Sequence, residues 1–563
     1  MREFRWERPA AGGRWGDRST GRDAAAGVLS AAAAALLDSV VGPPGYVPAA
    51  GATEGLSLVD VPASRLSAAD VSMLTGLLGE SYVSVDDALR AAHSHGLSYS
   101  DVVAARAGGV VGRYVDAVVA PSSADLVLAL LEWCSARRIA VVPFGGGTSV
   151  VGGVSVPVAD AASFSAVIAV SLAALDALLA FDAESALVTV EAGMTGPVLE
   201  RLLAARGFTL GHFPQSFARA TIGGYIAARS AGQASTGYGR MDEMVEAVSL
   251  ATPVGAFAAG RGPSSAAGPS LLRLVQGSEG AFGIVTSASL RVRPLPTVRR
   301  YVGYMAPSFD AGVAAFRGMV RAGCTADVMR LADSDETATT MAMSGPTGVA
   351  GAAFSRYLSA RGVTSSAGCL MILGWEGTDA GFVSARARAA RSVLSSSGVV
   401  SLGSRVGSSW EKHRFDGPFL RDTLIDSGYL VETLESAASW SALSSLASLV
   451  RSSLAESLAA YAPYVMAHIS HVYDTGASLY FTVLAQQPAE VSVWTAAKAE
   501  VTSVLVSAGF TVSHHHGVGR DHRAGLEQED GELGIAVLRS VKSVLDPAGI
   551  MNPGVLIAGG VDS

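Results

Sequence analysis

Val141-Val142-Pro143-Phe144-Gly145-Gly146-Gly147-Thr148-Ser149-Val150 decides the fold, because a β-branched run stops abruptly in three glycines and two hydroxyls. Valines suit a buried strand, and consecutive glycines let bare backbone N–H groups approach an anion such as a pyrophosphate. Thr148 and Ser149 add donors. A nicotinamide-type Rossmann turn needs Gly-x-Gly-x-x-Gly; counted from Gly145 the sixth position is Val150, so that fold is set aside.

Further glycine-rich turns follow downstream: Gly211-His212-Phe213-Pro214-Gln215-Ser216, Ala220-Thr221-Ile222-Gly223-Gly224 and Gly237-Tyr238-Gly239. Gln276 to Thr286 then leads into an alternating strand from Ala288 to Pro294. In this order and spacing these stretches resemble the FAD-binding domain of vanillyl-alcohol-oxidase (PCMH-type) flavoproteins. Within that superfamily the resemblance narrows to the alkyldihydroxyacetonephosphate synthase family of ether-lipid synthesis, carried also by His471 to Phe481 (HVYDTGASLYF) and His514 to Gly519 (HHHGVG). It runs from about Ser94 to Leu556. Two departures stand out: Arg520 where lysine is expected, and Ile550-Met551-Asn552-Pro553-Gly554, an ending more usual in flavin-linked lactate and glycolate dehydrogenases.

The resemblance implies an α+β fold: a two-subdomain PCMH-type FAD-binding domain, an α+β cap domain for substrate, and an N-terminal helical extension. The expected boundaries are 1–112 for the extension, 113–297 for the FAD domain and 298–508 for the cap. A segment at 509–563 carries the histidines and returns to the FAD domain. Noncovalent FAD is expected on Pro143, Gly145, Gly146, Gly147, Thr148, Ser149, Val150, Pro214, Ser216, Ala220, Thr221, Gly223, Gly224, Glu279, Gly280, Gly283 and Ile284. Phe144 to Gly153 offers neither histidine nor cysteine for a covalent tether.

The implied reaction exchanges the acyl chain of acyl-dihydroxyacetone phosphate for a long-chain alcohol, with FAD used without net redox. Tyr480 matches the catalytic tyrosine, and a phenol near pKa 10 needs a neighbouring cation to become a base. Arg330 and Arg421 are the candidates, and either guanidinium could grip the phosphate. His514, His515 and His516 are the proton handlers, since imidazole titrates near neutrality. If Thr511 to His516 is a strand, His514 and His516 share one face and His515 takes the other.

Dehydrogenase relatives place a divalent metal on His-x-Gly-Asp-Gly-Asn-x-His and a later Glu-His-Gly. Here Tyr480 and His515 stand at two of those positions, a poorer hard-cation set, so no metal is expected. An FAD-dependent 2-hydroxyacid dehydrogenase and a noncatalytic flavin or lipid binder remain the alternatives.

The net charge of −8 excludes a nucleic-acid partner, and 49% hydrophobic with 16% charged residues is a globular composition. Cys134, Cys324 and Cys369 are scattered and odd in number, as in a reducing compartment. Met1 to Asp23 lacks an apolar core, Ala24 to Leu37 is too short to span a bilayer, and the C-terminus Val561-Asp562-Ser563 carries no peroxisomal address. A cytoplasmic homodimer with peripheral membrane contact, for collecting a lipid substrate, is the expectation.

Overall fold

A computed structural model describes residues 4–6, 14–17, 22–23, 29, 31–46, 61–346, 348–364 and 366–558; the terminal readings at Met1, most of Met1 to Asp23 and Val561 to Ser563 lie outside them. The Val141 run is strand β3 (Ile139–Phe144), one of a four-stranded sheet with β1 (Val83–Ser84), β2 (Ala117–Val119) and β4 (Ala166–Ser171) in the order β1-β2-β4-β3. β2 and β3 both run parallel to β4, and Val167, Ile168, Ala169 and Val170 have no exposed surface. Burial on both faces explains the unbroken apolar run. Helix α2 (Ala124–Arg137), capped by the Ser123 hydroxyl on Leu126 N, connects β2 to β3 as the pattern predicts.

A second, antiparallel sheet holds β5 (Leu178–Asp182), β6 (Leu187–Glu191), β7 (Val245–Thr252), β8 (Gly255–Ala259) and β9 (Ile284–Arg291) in the order β8-β7-β9-β6-β5. These two sheets share one hydrophobic core. The cap is a seven-stranded antiparallel sheet of β10 (Val298–Ala306), β11 (Val328–Ala332), β12 (Cys369–Gly377), β13 (Val400–Gly403), β14 (Tyr429–Ser439), β15 (Tyr464–Val472) and β16 (Gly476–Gln486). Its order, β13-β10-β12-β11-β15-β16-β14, places the strands bearing Arg330, His468, Tyr480 and Glu435 side by side.

The N-terminal region differs from a separate extension. β1 pairs with β2, and the helix Ala68–Leu78 buries Leu74 and Leu78 in the FAD-domain core. Helix α1 (Ala31–Val40) and the helix Tyr99–Arg106 instead bury Leu37, Tyr99 and Val102 in the cap core. The described residues of this region are thus shared between both cores, which its alanine-rich composition does not reveal. The C-terminal helix α3 (Arg523–Leu545) bends at Gly531, where φ is 68°. Beyond it the chain returns to the FAD domain, with Val141 N donating to Ile550 O at 2.8 Å and Asn552 N to Val141 O at 2.8 Å. The unexpected Arg520 fastens this ending: its guanidinium donates to Gly152 O and to Pro553 O, each at 2.6 Å.

Candidate active site

One continuous cavity of about 630 Å³ joins the glycine loops to the cap sheet. All the residues expected to hold FAD, from Pro143 to Ile284, line it. The loop is bare for a reason. A Cβ on Gly146 would stand 2.2 Å from Arg219 O, and Gly147 has a φ of 64° with its Cβ position 2.5 Å from the Phe144 ring. The Ser149 hydroxyl accepts from Gly153 N at 2.9 Å and closes the turn. Thr221 caps the short helix Ile222–Ala227 facing it. Glycine backbone and two hydroxyls in one cleft suit the pyrophosphate of FAD. Glu279 has a different task, because its carboxylate accepts Val518 N at 2.7 Å and Gly519 N at 2.9 Å. It ties the histidine loop to the cofactor domain. Burial pushes its pKa up to about 7 against those two hydrogen bonds.

On the cap side, one face of the sheet lines the cavity in rows. Tyr480 and His468 form the first row, with Glu435, bonded to the histidine loop, across from Tyr480; Thr433, Thr482 and Met466 form the second, and Val431, Leu484 and Tyr464 the third. Every second residue therefore faces the cavity, while Leu479, Phe481 and Val483 between them are fully buried in the cap core. The floor grades from ionisable to apolar. Leu36, Leu37 and Val40 of α1 wall the same cavity.

The first row is densely hydrogen-bonded. The Tyr480 ring stacks on His468 at 4.9 Å and lies 6.0 Å from His515 and 5.5 Å from His516, centroid to centroid. Arg330 pairs with Glu336, and His468 Nδ1 lies 2.7 Å from Glu336 and 3.1 Å from Arg330. Burial alone would raise the Glu336 pKa, but Arg330 and His468 outweigh it and hold the carboxyl well below its usual range. Arg421 also lines the cavity. It donates to Leu97 O at 2.8 Å and pairs with Glu432 at 3.3 Å, while its neighbour Asp422 pairs with Arg106.

Two expectations change. Thr511 to His516 is not a strand but a bent loop, so the split of the three imidazoles between two faces does not arise. A strand sends successive N–H groups to opposite sides, whereas the N–H groups of His514, His515 and His516 all end on Glu435. Nor does a cation make Tyr480 acidic. Burial pushes the phenol up to about 12, and a hydrogen bond with Thr433 and the charge of Arg421 do not offset it. The imidazoles are pushed the other way: burial first, then repulsion from His515, holds His514 well below its ordinary value and His516 at about 3.

His515 and His516 line the cavity, with His514 behind them bonded to the Tyr473 hydroxyl. Nitrogens of His471, His514 and His515 lie within 4.8 Å of one another. The rings of His471 and His514 stack at 5.0 Å. His471 Nδ1 is also bonded to Ser235, and His514 Nδ1 lies 2.9 Å from His515 Nδ1. Glu336 and Glu435 escape sequence reading, since nothing local distinguishes them from surface carboxylates.

The description "FAD binding domain" matches residues 115–258, and "FAD linked oxidases, C-terminal domain" matches 295–556. The chain is 31% identical over 519 residues to alkyldihydroxyacetonephosphate synthase of Trypanosoma brucei brucei, covering 91% of this chain and 84% of that protein. It is 30% identical to the Dictyostelium discoideum protein of the same name, covering 84% and 78%. A solved alkyldihydroxyacetonephosphate synthase structure superposes with a TM-score of 0.78 at 25% identity, covering 93% of this chain and 92% of that one. With the glycine cradle, the tyrosine row and the histidine loop in their places, the chain belongs to the alkyldihydroxyacetonephosphate synthase family of FAD-binding flavoproteins.

Proposed function

We propose that this flavoenzyme exchanges the acyl chain of acyl-dihydroxyacetone phosphate for a long-chain alcohol, forming an ether without net redox. The observation that carries this reading is the graded floor: a proton-handling row at Tyr480 continues, in the same cavity, into an apolar lane beside α1. A 2-hydroxy acid would have no use for that lane. FAD, held by the Gly145 to Ser149 loop and the Thr221 turn, would supply an electrophilic ring to the exchange.

Tyr480 keeps its own proton at neutral pH, so it works as a relay: it passes that proton to a neutral imidazole as it takes one from the substrate carbon. Arg330, shared with Glu336 and a quarter exposed at 26%, is the guanidinium we assign to the phosphate. Arg421, held by Glu432 and Leu97 O, shapes the field around Tyr480. Among the described residues no helix is long and apolar enough to cross a membrane. Peripheral contact and a homodimer belong to this proposal, with the FAD domain at 113–297 and the cap at 298–508.

The test incubates purified protein with palmitoyl-dihydroxyacetone phosphate and hexadecanol and seeks the ether product by mass spectrometry. Absence of ether, with bleaching of the flavin by D-lactate or a similar acid, would replace this reading with the dehydrogenase one.

A further inference from the structure

Five backbone N–H groups of the histidine loop end on two buried carboxylates. Glu279 takes Val518 and Gly519; Glu435 takes His514, His515 at 3.0 Å and His516 at 2.8 Å, along with the Ser513 hydroxyl at 2.8 Å. Glu435 is 4% exposed and stands on β14 directly across from Tyr480 on β16. Its oxygens also lie 3.5 Å from His515 Nδ1 and 3.7 Å from His516 Nδ1.

The other groups whose charge bears on His515 and His516 are imidazoles, phenols and cations, while Glu336 stands beyond His468 and Glu279 meets the loop at Val518 and Gly519. β15 brings His468 and His471, and β16 brings Tyr480. Tyr473 comes from the turn between them, and His212 and Arg240 come from the FAD domain. Lys498 and His522 approach from the C-terminal helices. Against this set Glu435 is the anion facing the imidazoles, and its negative charge raises what burial, Arg240 and Lys498 lower.

We propose that Glu435 is a positioning residue for the exchange: it fixes the three imidazoles beside Tyr480 and, as the countercharge that faces them, lets the loop store a single proton on His515. The inference rests on the ether-forming reading. The substrate C–H bond breaks with its electron pair left on carbon, and its proton goes to the Tyr480 oxygen. The phenolic proton moves to an imidazole nitrogen, and the resulting imidazolium is neutralised by Glu435. The reverse transfers return the proton when the exchange is complete, so no external acid or base is consumed. A second proton would find no partner, so the store holds one.

The experiment uses the flavin-loaded full chain. Glu435→Gln keeps an amide oxygen for the loop N–H groups and removes the charge. We expect kcat per bound flavin to fall roughly 10-fold or more, with KM for palmitoyl-dihydroxyacetone phosphate unchanged within about 2-fold. The acid limb of its pH profile should move down by about one unit, because an opposite charge at this distance shifts a pKa by roughly 1–3. Glu435→Asp should recover part of the rate. Wild-type kcat and pH profile in folded Glu435→Gln would overturn the proposal.

An independent measurement needs no variant to fold. Histidine-selective ¹⁵N NMR of the wild-type holoenzyme, followed between about pH 5 and 8, should show one loop imidazole taking a proton, that of His515, with His516 still neutral. Assignment would rest on His515→Asn and His516→Asn. Two or more loop imidazoles charging in that range would refute the single store. Absence of ether product from the wild type would instead remove the functional reading, and the titration would still decide the charge claim.

Discussion

Between Pro143 and Val150 no side chain is ionisable; between His514 and His516 every one is. Both stretches line or abut the same cavity, and they are held in different ways. The glycine loop is fixed by its own backbone packed against Arg219 and Thr221, with distances too short for any Cβ. The histidine loop is fixed from outside, by carboxylates on two distant segments of the chain. A site that recognises a cofactor by bare amides is written in one short segment, whereas a site that moves protons is assembled from distant charges.

The sharpest break of this contrast is on the cofactor side. Gly146→Ala puts a methyl 2.2 Å from a backbone carbonyl that cannot yield, so the loop must shift and the purified chain should carry little flavin, read as the ratio of absorbance at 450 to 280 nm. Tyr480→Phe should do the reverse. It removes one hydroxyl from a retained ring, so flavin content and fold should stay while turnover per flavin falls roughly 100-fold or more, the usual range for a positioned acid or base. Near-normal turnover in that variant would erase the proton role and leave the cradle standing alone.

Acid titration separates the regions next. His516 and His522, at about 3 and about 4 in the fold, ionise near 6.5 when unfolded. The unfolded chain binds more protons in that window, so their contribution is complete above about 6.5 and is lost as pH falls toward about 4 and then 3. Glu279, raised to about 7, works the other way: its contribution is complete below its unfolded value near 4.3 and is lost as pH rises through about 7. Two imidazoles against one carboxyl predict a net fall of melting temperature on acidification below about 6.5, steepest under about 4.5, measurable by scanning fluorimetry. A rise over that range would show that His516 and His522 are charged in the native state.

The smallest effects are the expected non-effects. Since Tyr480 and His515 stand where the dehydrogenase relatives place metal ligands, EDTA should leave turnover unchanged and elemental analysis should find no stoichiometric zinc or manganese. About one metal per chain, lost together with activity, would reverse that. Acid precipitation should release the flavin into the supernatant, because Phe144 to Gly153 provides no tether.

What was legible follows from the same contrast. Strand β3 and the glycine turns are local patterns of period and turn chemistry, and reading along the chain finds them, while Tyr480 was placed by the family resemblance. The staples were hidden for a physical reason. Glu435 lies some eighty residues from the loop it holds, and Glu336 meets His468 across 132 positions, so each acquires meaning when the sheet order brings its strand alongside. The bend at Thr511 to His516 was misjudged because period-2 reasoning assumes a strand's alternating N–H groups, and a buried carboxylate overrode it. The shared fate of the described N-terminal residues escaped notice because alanine-rich helices pack equally well on either core.

The graded floor also bears on how such a chain can change over time. Point substitutions at Thr482, Leu484, Met466 or Val431 alter the depth and width of the lane while leaving the Tyr480 row untouched, so preference for one alkyl length over another can drift without loss of chemistry. Insertions and deletions are another matter. One residue added between Tyr480 and Leu484 would turn Phe481 and Val483 into the cavity and bury the threonine in an apolar core. Across descendants of this sequence, β16 should therefore vary in letters and never in length.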